Sequence, residues 1–161
     1  MSEQQIIDTG YALIDQFASE APTATMPASG IVTYQGVGAA SPSGSTPSEI
    51  IATATSVYQV TAQVDFANST MTGQAYNFQS TTPGYDISGS LGATGTVSGS
   101  SFSGTYSGSM TEQGIPVTYS GTIAGDFVGG DAAAMIGTGS GTATAQGIGT
   151  IGFNSYWGAA R

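Results

Sequence analysis

Tyr58-Gln59-Val60-Thr61-Ala62-Gln63-Val64-Asp65-Phe66 alternates without a break: apolar side chains occupy every even position, and Gln, Thr, Gln and Asp lie between them. A period of two belongs to a β-strand with one face buried and the other in water. The next run, Thr70 to Phe78, follows across Asn68-Ser69, a turn-forming pair, so the two segments read as a hairpin. Working outward, runs of the same kind occur at Ile31 to Val37, Tyr85 to Val97, Phe102 to Ser109, Pro116 to Phe127, Ala132 to Thr138 and Thr142 to Phe153. Seven or eight strands result, joined mostly by short Gly/Ser/Thr turns. The longest polar interruption, Ala40 to Ser48, carries Pro42, Gly44 and Pro47 and reads as a mobile surface loop.

Glycine shares a face with large side chains in these strands, as in Phe102-x-Gly104-x-Tyr106-x-Gly108 and Tyr119-x-Gly121-x-Ile123-x-Gly125-x-Phe127. Glycine weakens a strand unless it relieves crowding, as where small and large residues alternate to fill a narrow barrel. Closure also removes the sheet edges, which a chain with few charged gatekeepers would otherwise leave open to aggregation. The expected fold is therefore all-β, an antiparallel up-and-down barrel of about eight strands.

Residues 2–20 follow a different period. Ile6, Ile7, Tyr11, Ile14 and Phe17 recur at three- and four-residue spacing and lie along one stripe of a helix. Ser2 is placed as its N-cap, with Gln5 in the capping-box position and Glu3 and Asp8 near the positive end of the helix dipole. Pro22 and Pro27 prevent continuation. The expected organisation is an amphipathic helical segment over residues 1–21, a linker over 22–29 and a barrel domain over 30–161. The five apolar side chains of the stripe either pack on their own barrel or serve as assembly contacts on a neighbouring subunit.

Composition excludes most chemistry. The 161 residues hold 10 Asp and Glu, a single Lys or Arg, no His and no Cys, for a formal charge of -9. Lacking His, the chain cannot build a Ser-His-Asp triad or a His-ligated zinc or haem site. Lacking Cys, it has no disulfide, thiol nucleophile or Cys-zinc site. With Arg161 as the one cationic side chain, no basic patch exists to neutralise nucleic-acid phosphates or an anionic membrane surface. No apolar stretch approaches the ~18–20 residues of a membrane span. Met1-Ser2-Glu3-Gln4-Gln5 has no positive region, apolar run or small-residue cleavage site, so it does not read as a secretory signal.

The remaining polar groups offer few sites. The carboxylates are spread singly, and no pair is marked out for acid–base work. Asp126 and Asp131 flank Val128-Gly129-Gly130, yet their spacing matches neither an EF-hand loop nor a calcium-binding nonapeptide repeat. Tyr34, Tyr58, Tyr76, Tyr85, Tyr106 and Tyr119 lie on strands, where aromatic residues serve as core and cross-strand pairs more often than as haem ligands. No Gly-x-Gly precedes a helix, so no phosphate cradle follows. Tyr156-Trp157 either closes the core or forms a surface contact patch. The reading is non-enzymatic, with no cofactor and no metal.

The elements Gly30-Ile31-Val32-Thr33-Tyr34-Gln35-Gly36, then Val60 to Phe66 followed by Thr70-Met71-Thr72-Gly73, then Ser101-Phe102-Ser103-Gly104-Thr105, and Gly121 to Gly129 with Ala132 to Gly137, stand in a telling order. In that order and spacing the chain resembles transferrin-binding-protein-B-like β-barrel domains over residues of about 30 to 161, the closing Gly-Ala-Ala-Arg included. The resemblance implies an eight-stranded barrel. It also implies kinship with surface lipoproteins of Gram-negative bacteria that capture transferrin, haemoglobin or haem.

Two features pull the functional expectation apart. The composition is that of an exposed, Lys-free, Ser/Thr/Gly-rich surface protein, whereas the first residues carry no export signal. A virion subunit, of the bacteriophage capsid decoration or cement kind, satisfies both: it is made in the cytosol and displayed on the virion surface. Its partners would be a capsid or other surface lattice, or copies of itself. The alternative is a bacterial cell-surface or secreted ligand-capture barrel of the transferrin-binding kind.

Overall fold

Alternation of apolar and polar side chains along each strand forces the sheet to curl until its apolar face meets itself. The computed structural model describes residues 1–161. Nine strands appear in chain order: β1 (Ile31–Ser41), β2 (Ser56–Asp65), β3 (Thr70–Ser80), β4 (Ile87–Gly89), β5 (Leu91–Ser98), β6 (Ser101–Glu112), β7 (Ile115–Val128), β8 (Ala134–Ala145) and β9 (Gly149–Ala160). Short β4 and β5 lie in one register against β6, with Ile87 opposite Glu112 and Gly92 opposite Ser107. They are therefore two pieces of a single stave, interrupted at Ser90. Every neighbour is antiparallel, and β9 pairs with β1 to close an eight-stave barrel.

The turns sit where the expected strands end, with two exceptions. Gln113-Gly114 joins β6 to β7 with both residues at positive φ, 50° and 77°, the two-residue turn whose twist matches that of a hairpin. The last hairpin turns at Gln146-Gly147-Ile148 and not in the Gly-Ser-Gly segment around residue 140. Gly139 and Gly141 are strand residues whose missing side chains leave room for Ser155 and Tyr106. The Ala40–Ser48 segment is also more ordered than a mobile loop. β1 runs to Ser41, and Thr46 caps a helix, α2 (Pro47–Ala52), through a capping box with Glu49. Hydrogen bonds from the Ser45 hydroxyl and from the Thr46 and Ser45 amides hold the Glu49 carboxyl down at about 2.

Large rings and glycines are matched across strands inside the barrel. Paired positions form a continuous row around the wall: Phe102, Gly125, Gly137, Trp157, Gly38 and Tyr58 on β6, β7, β8, β9, β1 and β2. Each ring reaches over the glycine of the next stave. A Cβ at Gly125 would stand 2.6 Å from the Phe102 ring, one at Gly137 2.6 Å from the Trp157 indole, and one at Gly38 2.5 Å from the Tyr58 ring. A second row repeats the device with Tyr106, Gly121, Gly141 and Phe153. The expectation that strand glycines mark a tightly curved wall thus holds, and steric relief is its cause.

The two ends of the barrel differ. At the end where β1 begins, Phe127 is fully buried and meets Tyr34, Phe66 and Phe102 at ring separations of 6.0, 5.6 and 5.6 Å. The Tyr34 hydroxyl donates to the Ala132 carbonyl at 2.8 Å. The chain before β1 lies over this end: the Thr23 amide donates to the Phe127 carbonyl, its hydroxyl to that of Gly129, and Met26 packs on the core. The opposite end, where β1 finishes, is open.

The first helix, α1 (Glu3–Phe17), carries the capping box of Ser2 and Gln5. It lies outside the barrel on β1, β2 and β9, burying Ile6 among Val37, Ala39, Val57 and Tyr156 and Phe17 against Val128 and Ala134. No helix is long and apolar enough to cross a membrane.

Two outcomes follow from this packing. Gly137→Ala should cost about 1–3 kcal/mol in urea unfolding, because its Cβ would press on the Trp157 indole, whereas Gly92→Ala, with open space at its Cβ, should be neutral or stabilising. Removal of residues 1–17 uncovers Val37, Ala39, Val57 and Tyr156. The shortened chain should melt at lower temperature and sediment as concentration-dependent oligomers.

Candidate functional site

The open end is where the barrel meets solvent, and its side chains come from strands all around the barrel and from the loops between them. The strands of β6 to β9 run on past the closed ring of core residues, so their hairpins stand above the mouth. Glu112, at the tip of β6, accepts hydrogen bonds from two tyrosines: the Tyr85 hydroxyl at 2.7 Å and the Tyr119 hydroxyl. The Glu112 hydrogen bond, then burial, raise the Tyr85 phenol. For Tyr119 burial is the larger cause and Glu112 adds to it, so both hydroxyls stay protonated donors through the neutral range.

The rim above these groups is apolar. Ile148 and Ile151 are 71% and 60% exposed, and Ile115 and Tyr85 are exposed beside them at the same end of the barrel. Ile115 follows the Gln113-Gly114 turn, and Ile148 sits in the turn between β8 and β9, of which β8 neighbours β7. The sequence does hold this signal, for Gly114-Ile115 and Gly147-Ile148 each put a β-branched apolar residue where a hairpin turn calls for a polar one. Strand patterning hid it, because Ile115 adjoins the expected Pro116–Phe127 run and Ile148 falls inside the expected Thr142–Phe153 run.

Below the rim a mouth of about 280 Å³, bordered by Ser41, Thr55, Thr82 and Glu112, leads to an inner cavity of about 90 Å³. Ala40, Ser56, Ile87, Tyr119 and Phe153 border both, so the two spaces adjoin. The inner wall is almost wholly apolar. Burial pushes the Tyr106 phenol up to about 12. Burial also raises Tyr58, with the neighbouring Ser155 hydroxyl working against it. The chemistry at this end is apolar contact and hydrogen bonding by neutral phenols.

The residues singled out from the sequence lie elsewhere. Ile6 and Phe17 are buried against their own barrel and Ile7 and Ile14 are partly so, which leaves Tyr11 as the one exposed member of the helical stripe. Tyr156 and Trp157 are both 7% exposed, so of the two readings, core closure and surface contact, their burial fits the first and not the second. Successive strand residues face opposite ways: Trp157 fills the interior, and Tyr156 sits outside beneath α1. Asp126 accepts from the Ser101 hydroxyl at 2.7 Å, a cross-strand bond on the outer face. Tyr34 is committed to the Ala132 carbonyl at the closed end.

Comparison with known proteins places this geometry. Residues 26–153 match the family model of the C-lobe and N-lobe beta barrels of Tf-binding protein B. Among solved structures, a doubly substituted form of the vaccine antigen transferrin binding protein B from Haemophilus parasuis Hp5 is similar at 20% identity. The alignment has a TM-score of 0.54 and covers 88% of this chain and 27% of that one. Isotype 1 transferrin binding protein B from serogroup B Neisseria meningitidis is similar at 17% identity and a TM-score of 0.51, over 88% of this chain and 27% of that one. The chain thus spans about a quarter of the length of these structures, and at such identity they speak for the fold. No curated protein sequence matches.

The family match overturns the expectation of a virion decoration subunit on a capsid lattice. That reading rested on surface-like composition and on the character of the first five residues. The match, in contrast, covers most of the barrel, from the segment that closes one end to the middle of β9. The chain belongs to the family of the C-lobe and N-lobe beta barrels of Tf-binding protein B.

Proposed function

We propose that the chain is a non-enzymatic binding module of a bacterial cell-surface protein, and that the rim of its open end grips a protein ligand. The carrying observation is the group of exposed Ile115, Ile148 and Ile151 on neighbouring hairpins. Isolated exposed apolar residues are ordinary, but several gathered on the tips of one barrel end mark a contact surface. The rigid stave pairs beneath hold them in place, which reduces the ordering cost of binding. Family membership and the similarity to transferrin binding protein B structures support capture of a protein ligand. In this reading residues 30–161 are the binding unit, and residues 1–21 form a helical brace on its outer face.

Charge narrows the partner. With a formal charge of -9, the barrel repels an acidic ligand at low salt and favours one whose contact face is neutral or basic. Transferrin is the first protein to test, because the similar structures are of proteins named for binding it. The immobilised chain should bind transferrin saturably in surface plasmon resonance. The triple variant Ile115→Ser, Ile148→Ser, Ile151→Ser should keep its melting temperature and lose at least about tenfold in affinity. Transferrin that fails to bind, or binding that survives the triple variant undiminished, would overturn the reading.

A further inference from the structure

The rows of rings and glycines leave one polar atom stranded. The Tyr106 hydroxyl is buried and has no hydrogen-bond partner. Tyr106 is only 9% exposed, and its ring end lies inside the barrel over Gly121 and Gly141, where added Cβ atoms would stand 2.5 and 2.2 Å from the hydroxyl oxygen. Buried hydroxyls are nearly always paired, and leaving one unpaired costs stability, so each exception asks for a reason. A phenylalanine would fill the same row without that cost. The oxygen itself is the feature to be explained.

Its surroundings point to a ligand. Tyr106 borders the inner cavity together with Tyr58, Phe78, Tyr119, Phe153 and Trp157, an aromatic enclosure that adjoins the mouth. Tyr85 and Tyr119 are already committed to Glu112, and the Tyr106 hydroxyl is the one fully buried side-chain polar atom of the protein with no protein partner. No cationic side chain faces the cavity. Arg161 is the only one in the chain, and it lies at the closed end, where its amide bonds to the Ala133 carbonyl. The carboxylate at the mouth is Glu112. A carboxylate-bearing guest would enter past a negative charge and find no counter-ion.

We propose that the inner cavity and the adjoining mouth together bind a small, neutral, largely apolar molecule with one hydrogen-bond acceptor, to which the Tyr106 hydroxyl donates. This site is separate from the rim and takes a different class of ligand. Enclosure of an apolar body with a single placed polar contact is the common form of a small-molecule pocket. Rings stacked against the guest's faces supply affinity, and the hydroxyl selects among guests of equal shape.

The test uses four probes of similar size: acetophenone, α-methylstyrene of the same shape without the acceptor, benzoate, and phenyltrimethylammonium. The chain has one tryptophan, Trp157 on the cavity wall, so its indole resonance reports occupancy directly in ¹⁵N-resolved NMR of the full chain. Acetophenone should shift that resonance and the Gly121 and Gly141 amides saturably, and should bind about five- to tenfold tighter than α-methylstyrene. Tyr106→Phe should melt no lower than the parent and should abolish the difference between those two probes. Ala75→Leu, which adds bulk to the cavity wall on β3, should weaken acetophenone at least tenfold while leaving the Tyr106 ring in place. The proposal is overturned by absence of a saturable acetophenone shift, by equal affinity for the first two probes, or by tighter binding of benzoate or the ammonium. Retention of the preference in Tyr106→Phe overturns it as well.

Discussion

Space on the inner wall is the constraint from which the rest of this structure follows. Eight staves enclose an interior too narrow for a large side chain at every inward position, so a ring on one stave lies over a glycine on the next. Phe102 over Gly125, Trp157 over Gly137 and Tyr58 over Gly38 share one row and hold three neighbouring stave pairs at fixed distance. Where the closed end draws together, Phe127 with Tyr34, Phe66 and Phe102 fills the section completely. Toward the open end the second row of rings is thinner, and a cavity remains.

Charge plays almost no part in cohesion. The chain has a single cationic side chain against 10 carboxylates, so ion pairs cannot organise the fold. Of 109 backbone hydrogen bonds, 93 lie within helices and strands, and barrel closure leaves no long edge unpaired. The ladder and the packed rings carry the stability, while the carboxylates are spent locally. Glu49 caps α2, Asp65 accepts from Asn68 in the turn after β2, and Glu112 ties Tyr85 to Tyr119. Each satisfies nearby donors, and none bridges distant parts of the chain electrostatically.

The fold was legible because its two periods are clean. Alternation from Tyr58 to Phe66 and the helical spacing of Ile6, Ile7, Tyr11, Ile14 and Phe17 each name their element, and Ser2 and Gln5 mark the helix start. The last hairpin was misplaced because glycine has two meanings. In Gly139 and Gly141 it makes room for a neighbour, and in Gly147 it turns the chain, and only pairing distinguishes them. α2 was legible and overlooked: Thr46-Pro47-Ser48-Glu49 is a capping box with Pro in the first turn, hidden inside a Pro/Gly-rich stretch. The cavity behind the rim was not legible, since its members come from strands and turns between residues 40 and 157 and meet only when β9 pairs with β1. The orphaned oxygen of Tyr106 is a property of three-dimensional surroundings that no local pattern encodes.

The ring-over-glycine rows also govern how such a barrel can change over generations. Gly38 and Tyr58, Gly125 and Phe102, and Gly137 and Trp157 are bound in couples across neighbouring staves. Enlarging the glycine alone produces a collision, and shrinking the ring alone produces a void. A lineage can move a ring from one stave to the next only by exchanging both members of a couple, through an intermediate that suffers one defect or the other. Inner-wall positions should therefore drift in linked pairs and slowly, while outward Ser and Thr positions drift singly and fast, so that two relatives can keep one interior beneath unrecognisably different exteriors.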